Sequence, residues 1–364
     1  MKTTSCLALA CLAAAPLAAQ TERIVPANLA TTEGNLDSRI PFTLNAFRFQ
    51  QLYDGSSIAT RTAVIADCSF RRGNGSTAAF SGTTLQKVVV LCSTTKVSPG
   101  AMTTTFASNN TSTQTQVFSG NLVLPAQPTS TPTGPFNVTV KFVKPFTYVR
   151  ADDHILLEFQ VGANTTSKLN YPVDSSNGAG GGTIKAYGTG GTLAGGAYAF
   201  GSTAAGALVP GGRAVLELSA PANYPAVGIF GFSDKLWGPV NLPLDLTSFG
   251  APGNSLLVSF DLVAPMVLTQ GLKTWDGDAV LPLPNVPAAV GATVFGQALI
   301  VDARSNKLGM VLTDGLSMTL PAGNVAPYAA IYSDSSTATT GSFLLNVSGS
   351  KYNGLVTRFG GVFP

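Results

Sequence analysis

The chain has 364 residues, of which 11% are charged and 45% are apolar, and its formal net charge is +3. The charged fraction is well below the ~25% of an average soluble domain, and the apolar fraction is too high for a disordered chain. No basic run is longer than Arg71-Arg72. We therefore expect no nucleic-acid partner, because such binding depends on a basic stripe.

The first twenty residues have the three parts of a secretory signal peptide. Lys2 gives a positive start, residues 6–15 form an apolar segment, and Leu17-Ala-Ala19 supplies small residues for cleavage. The apolar segment is too short for a membrane span, which needs ~20 residues. Lipoprotein processing at Cys11 is a weaker alternative. We expect a mature chain that begins near Gln20, acts outside the cytoplasm and has no transmembrane segment.

Short strands are predicted along the whole mature chain. Period-two alternation and β-branched runs occur, for example, at 62–70, 85–93, 136–142 and 255–262, with turn-forming residues between them. No amphipathic helix of ten residues is visible, which argues against α/β folds, since these need crossover helices. The expected fold class is all-β, with two antiparallel β-sandwich (jelly-roll-like) domains.

A glycine-rich stretch divides the mature chain. Of the 39 residues from Asp174 to Gly212, 13 are glycine, which is typical of a flexible loop or linker. No Lys-Ser/Thr pair supports a phosphate-binding loop there. The predicted organisation is a signal peptide (1–20), an N-terminal β-sandwich (21–173), a Gly-rich loop or linker (174–212), a second β-sandwich (213–322) and a C-terminal β extension (323–364). The strands of the last segment could instead complete the second sandwich.

Two cysteines, Cys68 and Cys92, remain after removal of the signal peptide. A disulfide can persist in an oxidising compartment. Both thiols fall on the apolar faces of predicted strands, and a hairpin centred near Phe80 would place them opposite each other. We predict a disulfide between them, with a stabilising contribution of roughly 3 kcal/mol. Two buried free thiols are the alternative.

Acidic residues near the single histidine are candidates for catalysis. His154 follows Asp152 and Asp153, and such a histidine could act as a general base. The group lies at a predicted turn, however, where exposed structural charges are the usual interpretation. Glu158 lies on the next predicted strand, on the face opposite its apolar neighbours, and is predicted to face solvent. With one histidine and no cysteine cluster, neither a zinc site nor a cofactor is expected.

Two further acids and both tryptophans are weak ligand candidates. Asp276 and Asp278 flank a glycine as at the start of a calcium loop, but the later EF-hand ligands are missing, and a turn with exposed carboxylates is the favoured interpretation. Trp237 and Trp275 each precede a turn-forming pair. Exposed aromatic rings stack on sugars in binding modules, although most such rings only cover a sheet edge. No catalytic, cofactor-binding or metal-binding residue is predicted.

Several motifs, spread over most of the mature chain, resemble those of a known group of proteins. They are Ile24–Asn35, Phe47–Asp54, Thr105–Asn109, Pro145–Tyr148, Leu242–Leu246, Gly250–Gly253 and Leu281–Asn285. In these motifs the chain resembles secreted, β-rich, functionally uncharacterised proteins of planctomycete-type bacteria. The resemblance implies export and a β fold, and it brings no catalytic or binding residues with it.

These features lead to one expected function. Export, β architecture and low charge favour a non-enzymatic protein of the cell envelope or extracellular matrix, structural or adhesive, with polysaccharide or other envelope proteins as partners. A carbohydrate-binding module that uses the turn aromatics is the alternative. A β-rich glycoside hydrolase, which needs two acids at a set separation, is less favoured.

Overall fold

The computed structural model describes residues 20–59, 61–73, 79–128, 133–149, 153–163, 171–202, 204–271, 273–344 and 351–363. The predicted signal peptide lies almost entirely outside these residues. Strands account for 51% of these residues and helices for 6%, and the strands form several antiparallel sheets. The predicted all-β class is therefore confirmed. Within the described part of the chain, no helix has the length and apolar character needed to span a membrane.

The elements follow one another in chain order as short strands and a few single helical turns. The first nine strands are β1 (Gln20–Val25), β2 (Leu36–Ser38), β3 (Phe47–Tyr53), β4 (Thr62–Phe70), β5 (Thr83–Thr95), β6 (Thr115–Leu124), β7 (Val138–Val149), β8 (His154–Val161) and β9 (Val173–Asn177). The next fourteen are β10 (Thr183–Tyr187), β11 (Ala199–Gly201), β12 (Arg213–Ala220), β13 (Ala226–Gly231), β14 (Leu236–Trp237), β15 (Val240–Asn241), β16 (Leu244–Asp245), β17 (Ser255–Leu256), β18 (Leu262–Met266), β19 (Thr269–Gln270), β20 (Trp275–Pro282), β21 (Thr293–Val301), β22 (Met310–Leu312) and β23 (Gly315–Thr319). The last four are β24 (Tyr328–Ser333), β25 (Ser342–Phe343), β26 (Asn353–Leu355) and β27 (Thr357–Phe363). The helix α1 spans Gly55–Ile58, and 3-10 turns occupy Ala27–Leu29, Pro99–Ala101, Phe106–Asn109, Thr247–Phe249 and Pro287–Ala289.

The first β unit combines β1–β9 with β24–β27. Its sheets have the strand orders β1-β27-β4-β7, β25-β24-β3-β8-β5-β6 and β2-β9-β26. Alternate side chains of these sheets meet in one core, which includes Phe47, Phe49, Ile65, Phe70 and Phe159. Burial of such large apolar side chains is the main stabilising contribution to a β fold of this kind.

The second β unit contains β10–β23 and is inserted between β9 and β24. Its larger sheet has the order β10-β23-β21-β13-β18, with β22 beside β21, and its smaller sheet has the order β11-β12-β20-β19. Two hairpins, β14–β15 and β16–β17, complete it. Its own core includes Leu216, Phe230, Ala279, Ile300 and Met318.

The C-terminal strands belong to the first unit, which differs from the predicted organisation. β27 lies between β1 and β4, β24 pairs with β3, and β26 pairs with β9. Residues 323–364 therefore neither extend nor complete the second unit. The alternation in this segment indicates strands, but it carries no information on which distant strand each will pair with.

The glycine-rich segment contains the strands β9, β10 and β11, where the sequence predicted a flexible loop or linker. Its glycines permit close backbone contacts. A Cβ atom on Gly178 would lie 2.0 Å from the carbonyl oxygen of Asn324, and one on Gly181 would lie 2.0 Å from that of Ala205. At these two positions, glycine is required because the packing leaves no room for a side chain.

The predicted hairpin between Cys68 and Cys92 is wrong. β4 pairs with β7 and β27, whereas β5 pairs with β6 and β8, so the two cysteines lie in different sheets. Both are free thiols buried in the shared core, which is the alternative to the predicted disulfide. Burial raises the pKa of each thiol well above its usual value, so both remain protonated.

Candidate functional site

Asp153 and His154 make structural contacts at the start of β8. Lys96 forms an ion pair with the carboxylate of Asp153. The Nδ1 atom of His154 accepts a hydrogen bond of 3.2 Å from the backbone N–H of Gly55. Asp152 lies outside the described residues. The hydrogen bond of His154 joins α1 to β8, and the ion pair of Asp153 joins the start of β8 to the end of β5, so both residues have structural contacts.

Glu158 is fully buried, so its predicted position facing solvent is wrong. It lies in the middle of β8, between β3 and β5. The face of this sheet that points away from the main core is itself covered by a smaller apolar cluster, whose buried members are Leu52, Met102, Phe106, Leu156, Ala329 and Ile331. Both faces of β8 are therefore buried, and its alternation of polar and apolar residues does not separate a core face from a solvent face.

The carboxylate of Glu158 accepts hydrogen bonds from four side chains. Its Oε1 atom accepts from Arg48 Nε at 2.8 Å and from Gln160 Nε2 at 2.5 Å. Its Oε2 atom accepts from Gln50 Nε2 at 2.6 Å and from Gln114 Nε2 at 3.1 Å. Burial acts to raise the pKa of Glu158, but these donors outweigh it and hold the pKa below its usual value. A carboxylate held ionised in this way is poorly suited to donate a proton.

Asp276 and Asp278 lie inside strand β20 and not at an exposed turn. Asp278 accepts two hydrogen bonds from Arg61, at 2.9 Å from Nε and 3.1 Å from Nη2, which ties the second unit to the first. Asp276 accepts a hydrogen bond from Ser219 on the neighbouring strand. Among the residues that the structure describes, no three His, Cys, Asp or Glu side chains are grouped so that they could hold a metal ion.

The two tryptophans have different surroundings. Trp275, the first residue of β20, is half-buried and packs against the second core. Trp237 lies in the β14–β15 hairpin, which turns at Gly238 with a left-handed φ of 55°. Its exposed ring lies beside the ring of Phe260, with 5.8 Å between centroids and 44° between planes. Of the two tryptophans, Trp237 is therefore the one that presents its ring to solvent.

We name four residues in this region the aromatic surface: the exposed Phe232, Leu236 and Trp237, and the half-buried Phe260. Phe232 is 62% exposed and Trp237 is 39% exposed. Large apolar side chains grouped in this way on a protein surface usually mark a site of interaction.

Side-chain hydrogen bonds fix the backbone that presents these rings. Ser259 Oγ accepts from the backbone N–H of Phe232 at 3.1 Å, and Asp261 Oδ2 accepts from the same N–H at 2.9 Å. Ser233 Oγ accepts from the backbone N–H groups of Lys235 and Leu236 at 3.1 and 3.0 Å. The rings are thus held on an ordered support, which lowers the entropy cost of binding a ligand.

Polar groups border the aromatic surface. Asp234 and Lys235 form an ion pair of 3.1 Å just before the hairpin, and Asn241 is exposed opposite Leu236. Together they offer both donors and acceptors of hydrogen bonds close in the chain to the exposed ring of Trp237. That combination suits ligands with one apolar face and a polar rim, such as a sugar ring.

A separate cleft of about 190 Å³ lies between the glycine-rich segment and the first unit, lined by Asp54, Ser98, Pro99, Gly100, Gly180, Gly181, Gly182, Ala205 and Tyr352. It is smaller than the roughly 300–1,000 Å³ that is usual for small-molecule sites. Its acid also has a structural role, because Asp54 accepts hydrogen bonds from the backbone and side chain of Ser56 at the start of α1. The aromatic surface is therefore the stronger candidate.

Comparisons with protein-family models, curated proteins and solved structures find no match. The site is therefore interpreted from its own geometry. Sequence reasoning singled out Trp237 but missed Phe232 and Phe260, which are separated along the chain and come together only through the pairing of β13 with β18.

Proposed function

We propose that the protein is exported and serves as a non-enzymatic structural or adhesive component of the cell envelope or extracellular matrix, and that it binds polysaccharide through the aromatic surface. The observation that carries the proposal is the exposed ring of Trp237 packed against the half-buried ring of Phe260, with the exposed Phe232 held by backbone hydrogen bonds to Ser259 and Asp261, the neighbours of Phe260. Stacking of sugar rings on such faces needs no net charge on the ligand. The signal-peptide pattern at residues 1–20 supports export.

The charge distribution favours a neutral ligand. Only 11% of residues are charged, and the formal net charge is +3. Long-range attraction of a strongly anionic or cationic ligand would need a surface with one dominant sign of charge. Contact recognition by stacking and hydrogen bonding fits this chain better.

The surroundings of the candidate acids favour binding over hydrolysis. A glycoside hydrolase needs two carboxyl groups roughly 5–9 Å apart on either side of the sugar bond. Glu158 is buried and held by four donors, Asp278 is paired with Arg61, and Asp153 is paired with Lys96. Each of these acids already has a structural partner.

Binding by the mature chain tests the proposal. Affinity electrophoresis and titration calorimetry with soluble glucan, mannan and galactan, and with an anionic polyuronate, should show binding to a neutral polysaccharide. Trp237→Ala and Phe232→Ala should each weaken it at least about tenfold, a loss of ~1.4 kcal/mol. Val123→Ala on β6, at an apolar position as exposed as Phe232, is the matched control and should bind as the wild type does.

Two results would count against the proposal. If the wild type bound none of these polysaccharides, the ligand class would be wrong. If the wild type released reducing sugar and Asp153→Asn abolished that release, the protein would be an enzyme.

A further inference from the structure

One continuous segment forms the edge of both sheets of the second unit. β18 is the last strand of the larger sheet and pairs only with β13, and β19, three residues further on, is the last strand of the smaller sheet and pairs only with β20. Among the described residues, no strand covers the other side of residues 262–270. We name this segment the open edge.

The open edge is apolar and uncharged. Leu262, Val263 and Val267 are exposed, and no residue from 262 to 271 is charged. Proteins usually protect exposed edge strands with lysine or other charges, because an unprotected edge can pair with another strand. Pro265 lacks a backbone N–H, and the backbone groups of β18 that do not bond to β13 face the open side.

The edge strand β7 shows the usual protection. It ends the sheet β1-β27-β4-β7, and its sequence carries Lys141, Lys144 and Pro145. β7 therefore carries lysines that the open edge lacks. Such a difference is expected where the second edge has a partner.

We propose that the open edge pairs antiparallel with the open edge of a second copy of this chain and so forms a two-fold dimer. An antiparallel pair of identical strands has two-fold symmetry, so one edge supplies both halves of the contact. Asp261 precedes the segment and Lys273 follows it. In the antiparallel arrangement, the acidic end of one copy therefore lies near the basic end of the other, which favours this orientation.

The dimer would extend the proposed function without depending on it. The open edge begins next to the aromatic surface, because Leu262 follows Phe260 by two residues. A two-fold dimer would hold two aromatic surfaces in one particle, and two linked sites bind a repeating polymer more tightly than one site does. A chain that binds no polysaccharide would still form the dimer.

Sedimentation of the mature wild-type chain between about 1 and about 100 µM tests the proposal, since weak dimers associate in that range. The expected result is a monomer–dimer equilibrium. Val267→Lys should weaken it at least about tenfold, because the substitution brings two lysines together near the symmetry axis. Val143→Lys on β7 is the matched control, since Val143 is 77% exposed and Val267 is 75% exposed, and it should dimerise as the wild type does.

The possible results separate this proposal from the proposed function. A wild type that stays monomeric up to the highest concentration overturns the dimer, as does a dimer that Val267→Lys leaves unchanged. Circular dichroism and thermal unfolding of the two lysine variants check that both are folded, and Val263→Lys provides a second substitution at the same edge. Trp237→Ala should leave the dimer intact even where it abolishes polysaccharide binding.

Discussion

Replacing Glu158 by glutamine is expected to destabilise the first unit by about 3 kcal/mol, near the lower end of the roughly 3–5 kcal/mol found when one partner of a buried ion pair is removed. The substitution keeps the shape of the side chain but replaces one acceptor oxygen by a donor. At least one of the four donors that now point at the carboxylate would then face another N–H group. Hydrogen bonds to a charged acceptor contribute about 1.5–3 kcal/mol, and neutral ones about 0.5–1.5 kcal/mol.

The lower end of that range applies because Arg48 keeps other contacts. Its guanidinium lies over the ring of Phe106, 4.5 Å from the centroid, and its Nη1 atom donates to the carbonyl of Ala338 at 2.9 Å. The arginine therefore does not become an isolated buried charge when Glu158 loses its own.

Urea unfolding of Glu158→Gln at pH 7, followed by near-ultraviolet circular dichroism, measures the effect. Glu22→Gln is the matched control, because that carboxylate is 56% exposed and lies 3.9 Å from Arg358, and it should change stability by less than about 0.5 kcal/mol. A Glu158→Gln protein within that margin of the wild type would refute the reasoning.

The carboxylate of Glu158 also makes the stability of the folded protein depend on pH. Its pKa lies below the usual value, so the folded state binds fewer protons than the unfolded state does as the pH falls. The contribution of Glu158 to stability is complete above the unfolded pKa of roughly 4.3 and is lost as the pH falls through the folded pKa. The wild type should therefore lose more stability than Glu158→Gln on acidification. Parallel curves for the two proteins would contradict this.

Three further outcomes are expected. Gly178→Ala should destabilise the protein by more than about 2 kcal/mol, because its Cβ would lie 2.0 Å from a backbone oxygen, whereas Gly201→Ala, with no atom within 4 Å, should have little effect in the same unfolding assay. The thiols of Cys68 and Cys92 should resist an aromatic disulfide reagent in the native protein and both react in guanidinium; a non-reduced mass that shows them bonded would contradict this. Asp278→Asn should lower the free energy of unfolding by at most about 1 kcal/mol, because Arg61 is partly exposed. Millimolar calcium should leave the unfolding temperature of the wild type unchanged, whereas a rise would indicate a calcium site.

The sequence predicts the strands better than it predicts their partners. Alternation in 62–70 and 85–93 correctly indicates the strands β4 and β5, because a half-buried strand repeats every two residues. It cannot show that they lie in different sheets, since register and pairing depend on contacts far away in the chain. The predicted cysteine hairpin failed for this reason.

The sequence predicts only part of the aromatic surface, for a related reason. Trp237 stands before Gly238-Pro239, a local turn signal that the β14–β15 hairpin contains. Phe232 and Phe260 join it only after β13 and β18 have paired. Glu158 was misplaced because alternation separates two faces of a strand but does not say whether the second face is covered by another layer.

The nesting of the two units limits the order in which the chain can fold. Every strand of the second unit finds its partners between residues 183 and 319. In the first unit, β4 can complete its pairing only with β27, which is synthesised almost three hundred residues later. The inner unit can therefore complete its core while the outer one still exposes apolar strands, and β27 then completes a sheet whose partners β1 and β4 were synthesised much earlier.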